Sequence, residues 1–143
     1  MNKLLILALA LLIYTFVANG QQKTQTIKLE FFKKIPSQID GCSGLYTYDS
    51  TSLKKKKYIV VTNLQETAFI KVKGNRITLK RISNTELSKN SYKAIFKGGG
   101  YTLVLTTKTL KQSGDEVWIE RGSVEILQGK NKVTIKIHGE SGC

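Results

Sequence analysis

The sequence predicts an all-β protein, and two observations support this class. From Thr26 onward, apolar and polar residues alternate with a period of two, and β-branched and aromatic residues fill the segments between short Gly, Asn and Ser breaks. No long segment of this region carries the apolar stripe of an amphipathic helix. Short strands joined by tight turns are typical of a small antiparallel meandering β-barrel or, alternatively, a β-sandwich. We prefer the barrel, because closure removes the exposed strand edges of an open sheet.

Residues 1–20 have the layout of an export signal. Lys3 gives a positive start, Leu4 to Val17 form an apolar stretch, and Ala18-Asn19-Gly20 offers small residues to a signal peptidase. The apolar stretch is shorter than the roughly 20 residues that span a bilayer, and no cysteine follows it as a site for lipid attachment. We therefore expect a single β-rich domain over residues 21–143. It would be soluble and either periplasmic or secreted, with no lipid anchor and no transmembrane span after cleavage.

Two cysteines, Cys42 and Cys143, lie in the predicted domain. An even pair in an exported protein predicts one disulfide. The bond would close a loop of about 100 residues, which the chain-entropy model equates with roughly 4 to 5 kcal/mol of stability. Redox-active pairs are usually spaced as Cys-x-x-Cys, so we expect a structural bond and not a catalytic one.

The other predicted strands follow one another at short intervals. Outside the hairpin described below, they cover residues 27–33, 44–48, 57–62, 92–96, 101–108, 116–121, 123–127 and 132–138. Pro36 ends the first strand, because proline has no N–H group for a ladder. The glycines at 98–100 predict a tight turn or bulge. Residues 83–91 are the one segment that favours a turn of helix, with Asn84 or Thr85 as its cap.

The clearest predicted element is a hairpin over residues 68–81, with Gly74-Asn75 as its two-residue turn. This register places Val72 opposite Ile77 on an apolar face. The other face of the hairpin is cationic and carries Lys71, Lys73, Arg76 and Lys80.

The chain is strongly basic, with a formal net charge of +13 at pH 7. Loss of residues 1–20 would remove one lysine from the 23 basic side chains and none of the 10 acidic ones, leaving +12. Such a charge favours polyanionic partners such as acidic polysaccharide or lipopolysaccharide. The alternative is a lysine-rich surface that only maintains solubility and protects strand edges. Nucleic acid is not an expected partner of an exported protein.

A run of four lysines followed by Tyr58 is the strongest local charge signal. Adjacent lysines on a loop can neutralise anionic groups while a nearby aromatic ring stacks on a sugar or base. Together with the hairpin, this run gives the candidate anion-binding residues Lys54, Lys55, Lys56, Lys57, Lys71, Lys73, Arg76 and Lys80.

The sequence offers no set of residues for catalysis, and we expect no enzyme activity, no metal and no cofactor. His138 is the one histidine, and the alternation of the last strand puts it on the outer side, so no serine or cysteine has an evident base. With both cysteines in the disulfide, too few ligands remain for zinc. Glu116 and Glu120 are predicted on the outer side of a strand with basic neighbours, so we expect ion pairs there and not a glycosidase carboxylate pair.

Two short segments match a known pattern. Ser88-Lys89-Asn90-Ser91-Tyr92 keeps the serine and tyrosine of a Ser-Gly-x-x-Tyr motif, with Lys89 in place of the glycine, and Lys97 opens a Lys-Gly-x-x-x-x-Leu motif. The chain over residues 42–143 thereby resembles the bacterial inhibitors of c-type lysozyme, which are small exported or envelope-bound β-barrels with one disulfide. The resemblance implies contacts to lysozyme through Ser88, Tyr92 and Lys97.

Two classes of function follow. The first is a non-enzymatic binding protein that engages a polyanionic envelope or extracellular partner through its basic face. The alternative is an inhibitor of a wall-degrading lysozyme. We prefer the first class, because c-type lysozymes are typically basic and would repel a protein of charge +12 on approach.

Overall fold

A computed structural model of the protein describes residues 26–143. It contains eight antiparallel strands that pair in chain order and close into a barrel when the last pairs with the first. The strands are β1 (Ser43–Thr47), β2 (Val60–Thr62), β3 (Thr67–Val72), β4 (Asn75–Ser88), β5 (Ser91–Gly98), β6 (Tyr101–Gly114), β7 (Val117–Gln128) and β8 (Asn131–Gly142). The predicted all-β class and the preferred barrel are confirmed. The predicted signal, residues 1–20, lies outside the described residues.

The barrel has two ends, which we name by what lies there. At the disulfide end β1 begins, β8 ends, and the Cys42–Cys143 bond joins the chain on either side of them. At the helix end β1 leads into one short helix, α1 (Ser50–Lys54), before the chain returns as β2.

The interior of the barrel is apolar over most of its length. Ile27 and Leu29, which precede the barrel in sequence, also belong to this core, and the Tyr48 hydroxyl donates to the Leu29 carbonyl oxygen at 2.7 Å. The largest fully buried apolar side chains of the core are Leu29, Ile59, Ile70, Leu79, Leu103, Ile126, Ile137, Val60 and Val124.

A second, smaller apolar cluster consists of Leu45, Tyr58 and Val61. Leu45 and Val61 are paired across β1 and β2. Their side chains lie opposite to those of Tyr46 and Val60, which belong to the main core. The chain that leads to Cys42 covers this outer face, together with α1, through Phe32, Ile39 and Leu53.

The disulfide lies where three strands meet. Within the ladder, Gly142 of β8 is paired with Ser43 of β1 on one side and with Val117 of β7 on the other. A Cβ atom at Gly142 would clash with the Glu116 carbonyl oxygen, so the close approach of these backbones requires glycine. The predicted bond between Cys42 and Cys143 is confirmed, and it joins residues separated by 101 positions in the sequence.

Replacing Cys42 and Cys143 together by serine should lower the free energy of unfolding by about 2 to 5 kcal/mol, because the open chain regains loop entropy in the unfolded state. Urea denaturation of the oxidised protein and of the double variant, each checked for free thiols, measures the difference. A loss below about 1 kcal/mol would contradict a bond that secures barrel closure.

The predicted hairpin forms, but its turn lies one residue earlier than predicted. Lys73-Gly74 connects β3 to β4, both residues have positive φ, and Ile70 is paired with Ile77. Two positive φ values are typical of a type I′ turn. The Glu30 carboxylate accepts a hydrogen bond from the Gly74 N–H at 2.8 Å. This contact joins residues distant in sequence, so a local pattern could not reveal it.

Three other element predictions were wrong. Residues 83–91 form no helical turn, since β4 continues to Ser88. The predicted strands 116–121 and 123–127 form the single strand β7. Gly122 does not break this strand but lets its backbone lie close to that of β6, because a Cβ at Gly122 would clash with the Thr106 carbonyl oxygen.

Residues 27–33 form no strand, and the predicted alternation of buried and exposed side chains ends at Leu29, since Phe31 is exposed whereas Phe32 is half-buried. The Glu30 N–H donates to Lys71 of β3, whereas the Phe32 N–H donates to Tyr58, which precedes β2. Because these bonds go to different parts of the barrel, no ladder forms along one neighbour.

Candidate functional site

A groove of about 690 Å³ lies beside α1 at the helix end. Basic side chains dominate its lining, and six lysines face one carboxylate, that of Glu30. The lysines of this cationic groove are Lys28, Lys33, Lys55, Lys56, Lys57 and Lys71. The apolar part of the lining is largely aromatic, from Phe31, Phe32 and Tyr48.

The lysine run reaches the groove because of how α1 begins and ends. Asp49 caps the helix, and its carboxylate accepts a hydrogen bond from the Ser52 N–H at 2.7 Å. This bond is the main cause that lowers the pKa of Asp49. After the last turn Lys56 takes a positive φ of 53°, and the Lys57 N–H donates to the Ser52 carbonyl oxygen at 3.0 Å. These are the features of a Schellman motif, which reverses the chain direction.

Glu30 fixes the other wall of the groove to the barrel. Its carboxylate accepts from the Gly74 N–H and lies 3.4 Å from the Lys71 ammonium. The Gly74 hydrogen bond, and to a lesser degree Lys71, lowers the pKa of Glu30. Since Glu30 compensates the charge of Lys71, the net positive potential of the groove comes mainly from its other lysines.

The aromatic side chains give the groove an ordered apolar surface. The rings of Phe31 and Tyr48 meet edge to face, with centroids 5.7 Å apart. The Lys57 ammonium lies 5.7 Å from the centroid of the Phe31 ring, within the range of a cation–π contact. Lysines and aromatic rings together form a surface that can contact both the charges and the apolar faces of a sugar chain.

The cationic groove continues into a neighbouring depression of about 380 Å³. Both share Phe32, Lys33 and Lys56 in their linings, and the depression adds Lys34 and the carboxylate of Glu140. A path longer than one cavity suits an extended ligand better than a compact one.

The structure brings together only part of the predicted anion-binding set. Lys55, Lys56, Lys57 and Lys71 line the groove, whereas Lys54, Lys73, Arg76 and Lys80 do not. Sequence reasoning missed Lys28 and Lys33. Both lysines lie in the segment predicted as a strand over residues 27–33, and the hydrogen bonds that bring this segment next to α1 go to β3 and to Tyr58, which are distant in sequence.

Arg76 and Lys80 lie on the outer face of the hairpin, as predicted, whereas Lys73 lies in its turn. Arg76 is directly opposite Lys71, and its guanidinium lies 5.6 Å from the centroid of the Phe69 ring. Lys80 is paired with Thr67 on one side and with Lys97 on the other. This face is cationic.

Of the residues implied by the lysozyme-inhibitor resemblance, Ser88 and Tyr92 lie close together, whereas Lys97 lies far from both. Ser88 is paired with Ser91 at the disulfide end, whereas Lys97 is paired with Lys80 near the helix end. Six residues of strand separate the two pairs, which corresponds to about 20 Å. Ser88 and Lys97 therefore share no local surface.

Glu120 does not lie on the outer side of β7, as its predicted position required. It is only 8% exposed, and its carboxylate accepts hydrogen bonds from the Tyr46 hydroxyl and from the Ser141 hydroxyl, each at 2.8 Å. Tyr46 and Glu120 are paired with the same residue, Gly139 of β8, from opposite sides. The Tyr46 ring fills the space over Gly139, since a Cβ there would clash with the ring.

The structure gives no metal centre within residues 26–143, where no group of three or more His, Cys, Asp and Glu side chains is placed to hold an ion. His138 is half-buried on β8 and is paired with Thr47 and Arg121. Over the same residues, the structure has no helix with the length and hydropathy needed to cross a bilayer.

Comparison with known proteins gave no match to a family model, to a curated protein or to a solved structure.

The buried tyrosine should make the fold sensitive to alkaline pH. Burial, and next the neighbouring Glu120 charge, raises the pKa of Tyr46 well above the ordinary tyrosine value. Its contribution to stability is fully present below the unfolded-state pKa of about 10 and is lost as pH rises through the folded-state pKa. Urea denaturation at a series of pH values from about 8 to about 11 should show the free energy of unfolding falling over the alkaline part.

Tyr46→Phe is the matched variant, because it keeps the ring over Gly139 and removes only the titrating group. It should be less stable near neutrality by about 1 to 3 kcal/mol, since Glu120 loses a donor, yet its stability should fall less steeply above about pH 10. Tyr48 and Tyr58, whose pKa values burial also raises, remain in both proteins. An equal alkaline slope in the two proteins would contradict the role of Tyr46.

Proposed function

We propose that the protein is an exported, non-enzymatic binding module that holds an acidic polysaccharide chain in the cationic groove. One observation carries the proposal: six lysines with a single carboxylate surround a large groove that also contains aromatic rings. The extension of the groove past Phe32 and Lys33 supports a linear polymer as the ligand. The disulfide supports an oxidising compartment.

Charge and shape have separate roles in this proposal. The net charge attracts a polyanion from a distance and raises the association rate. The groove lysines then neutralise individual carboxylate, sulfate or phosphate groups, while Phe31 and Tyr48 contact the apolar faces of the sugar rings. Because attraction between exposed charges is screened by salt, affinity should fall steeply as ionic strength rises.

The test is the triple variant Lys55→Gln, Lys56→Gln and Lys57→Gln. Each lysine near a polyanionic surface contributes about 1 kcal/mol, so binding to heparin at low salt should weaken by about 100-fold. Fluorescence titration at several salt concentrations measures affinity together with its salt dependence, and heparin serves as the anionic polysaccharide probe. Circular dichroism checks that the barrel still forms.

A matched control removes the same charge elsewhere. Lys89, Lys93 and Lys108 are exposed at the disulfide end, and their triple replacement by glutamine changes the net charge equally. This control should weaken heparin binding by less than about fivefold, because only the long-range attraction falls. Equal losses in both variants would assign binding to net charge alone, and binding unaffected by salt would remove the proposal.

Lysozyme inhibition stays the alternative, and a turbidity assay on bacterial cell walls tests it. We expect the oxidised protein at micromolar concentration to leave c-type lysozyme active, since Ser88 on β4 and Lys97 on β5 lie about 20 Å apart along the paired strands and like charges repel. Inhibition that Lys97→Ala abolishes would favour the alternative over the polysaccharide proposal.

A further inference from the structure

A second cavity, of about 140 Å³, lies inside the disulfide end of the barrel. It is separate from the cationic groove, with which it shares no lining residue. Its walls combine apolar side chains, neutral hydrogen-bonding groups, one carboxylate and one guanidinium group. Its lining includes Glu120, Arg81, Asn84, Tyr92, Phe96 and Leu105.

The acid of this cavity is Glu120, which is more than nine-tenths buried. Its two hydrogen bonds come from neutral hydroxyl groups of Tyr46 and Ser141. The salt bridges within residues 26–143 are Lys71–Glu30 and Lys132–Glu125, so Glu120 has no ion pair in that part of the chain. A buried carboxylate is costly without a cationic partner, and it accepts up to about four hydrogen bonds.

The positively charged side chain of the cavity is that of Arg81, at the point where β4 bends. The register of β4 against β5 shifts between Arg81 and Ser83, which is the mark of a bulge that redirects a side chain. Among residues 26–143, the Arg81 side chain donates one hydrogen bond, to the Leu64 carbonyl oxygen at 3.1 Å. A guanidinium has five N–H donors in a planar fork that matches a carboxylate, so its capacity is largely unused.

The Glu120 carboxylate and the Arg81 guanidinium therefore border the same small cavity without forming an ion pair with each other. We propose that this cavity binds a small zwitterionic amino acid, whose ammonium group donates to Glu120 and whose carboxylate accepts from Arg81. A simple amine would satisfy Glu120 but be repelled by Arg81, and a simple carboxylic acid would meet the opposite conflict. A zwitterion is the small ligand class that meets both charges with its complement.

Size and apolar lining narrow the class further. A cavity of this volume is close to the engineered protein cavity of roughly 150 Å³ that holds benzene, a molecule of six heavy atoms. L-alanine also has six heavy atoms. Phe96 and Leu105 supply apolar contacts for a short side chain, and the Asn84 amide offers a further polar contact at the wall. Tyr92, which is 41% exposed, lies at the opening to solvent.

The experiment is an amide-resonance titration of the ¹⁵N-labelled, oxidised protein with three probes: L-alanine, and ethylammonium and propionate, which correspond to L-alanine without its carboxylate and without its ammonium group. L-alanine should bind saturably and shift the amides of cavity residues such as Ala94 and Thr107. Its affinity should exceed that of either single-charge probe by about tenfold or more, because each probe lacks one charge-assisted contact. Equal affinity for all three probes, or shifts confined to other parts of the barrel, overturns the proposal.

Variants assign the two charges. Glu120→Gln keeps the shape of the side chain and should weaken L-alanine binding about tenfold or more, while propionate binding improves. Arg81→Gln should weaken L-alanine similarly while ethylammonium binding improves. The controls are Glu125→Gln and Arg121→Gln, which change the same charges on β7 outside the cavity lining and should leave L-alanine affinity within about twofold.

If Glu120→Gln does not fold, the wild-type comparison of the three probes still decides the proposal. Heparin binding serves as an independent readout, since the groove lies at the helix end. Loss of L-alanine binding with heparin affinity intact would overturn this inference alone, and the reverse result would overturn only the polysaccharide proposal.

Discussion

Pairing of β1 with β8 is the constraint on which the rest of the structure depends. These strands are nearly a hundred residues apart in sequence, and their contact turns a meander with two free edges into a closed barrel. The Cys42–Cys143 bond fastens the chain beside this seam. Closure also brings Tyr46 of β1 within reach of Glu120 of β7, across the glycine of the strand between them.

The two ends of the barrel have become chemically distinct through different means. At the helix end, a segment that belongs to no strand passes beside α1, where Glu30 holds it to the hairpin turn at Gly74. It gathers lysines that are distant in sequence into one groove. At the disulfide end, the inner face of the long strands changes from apolar to polar, and charged side chains border a small cavity. A large cationic groove suits a polymer, whereas a small cavity of mixed charge suits a small molecule.

Much of the fold could be predicted because alternation and turn chemistry are local. The two faces of the hairpin were predicted correctly although its turn was misplaced, since moving the turn by one residue changes the pairing by two positions and preserves which side chains share a face. Glu120 was misplaced because a strand break was assumed at Gly122. Because β7 is continuous, the buried side chains of Val124 and Ile126 define its inward face, and Glu120 lies on that same face. The groove depends on long-range hydrogen bonds of residues 27–33 that no local pattern contains.

Lys56 illustrates a conflict between conformation and charge. Its left-handed backbone ends α1 at a position where glycine is usual, and an L side chain there is disfavoured by roughly 1 kcal/mol. Glycine would relieve that strain, yet it would also take one ammonium group out of the wall shared by both depressions. Under the proposed function, backbone stability and anion binding therefore favour different residues at position 56.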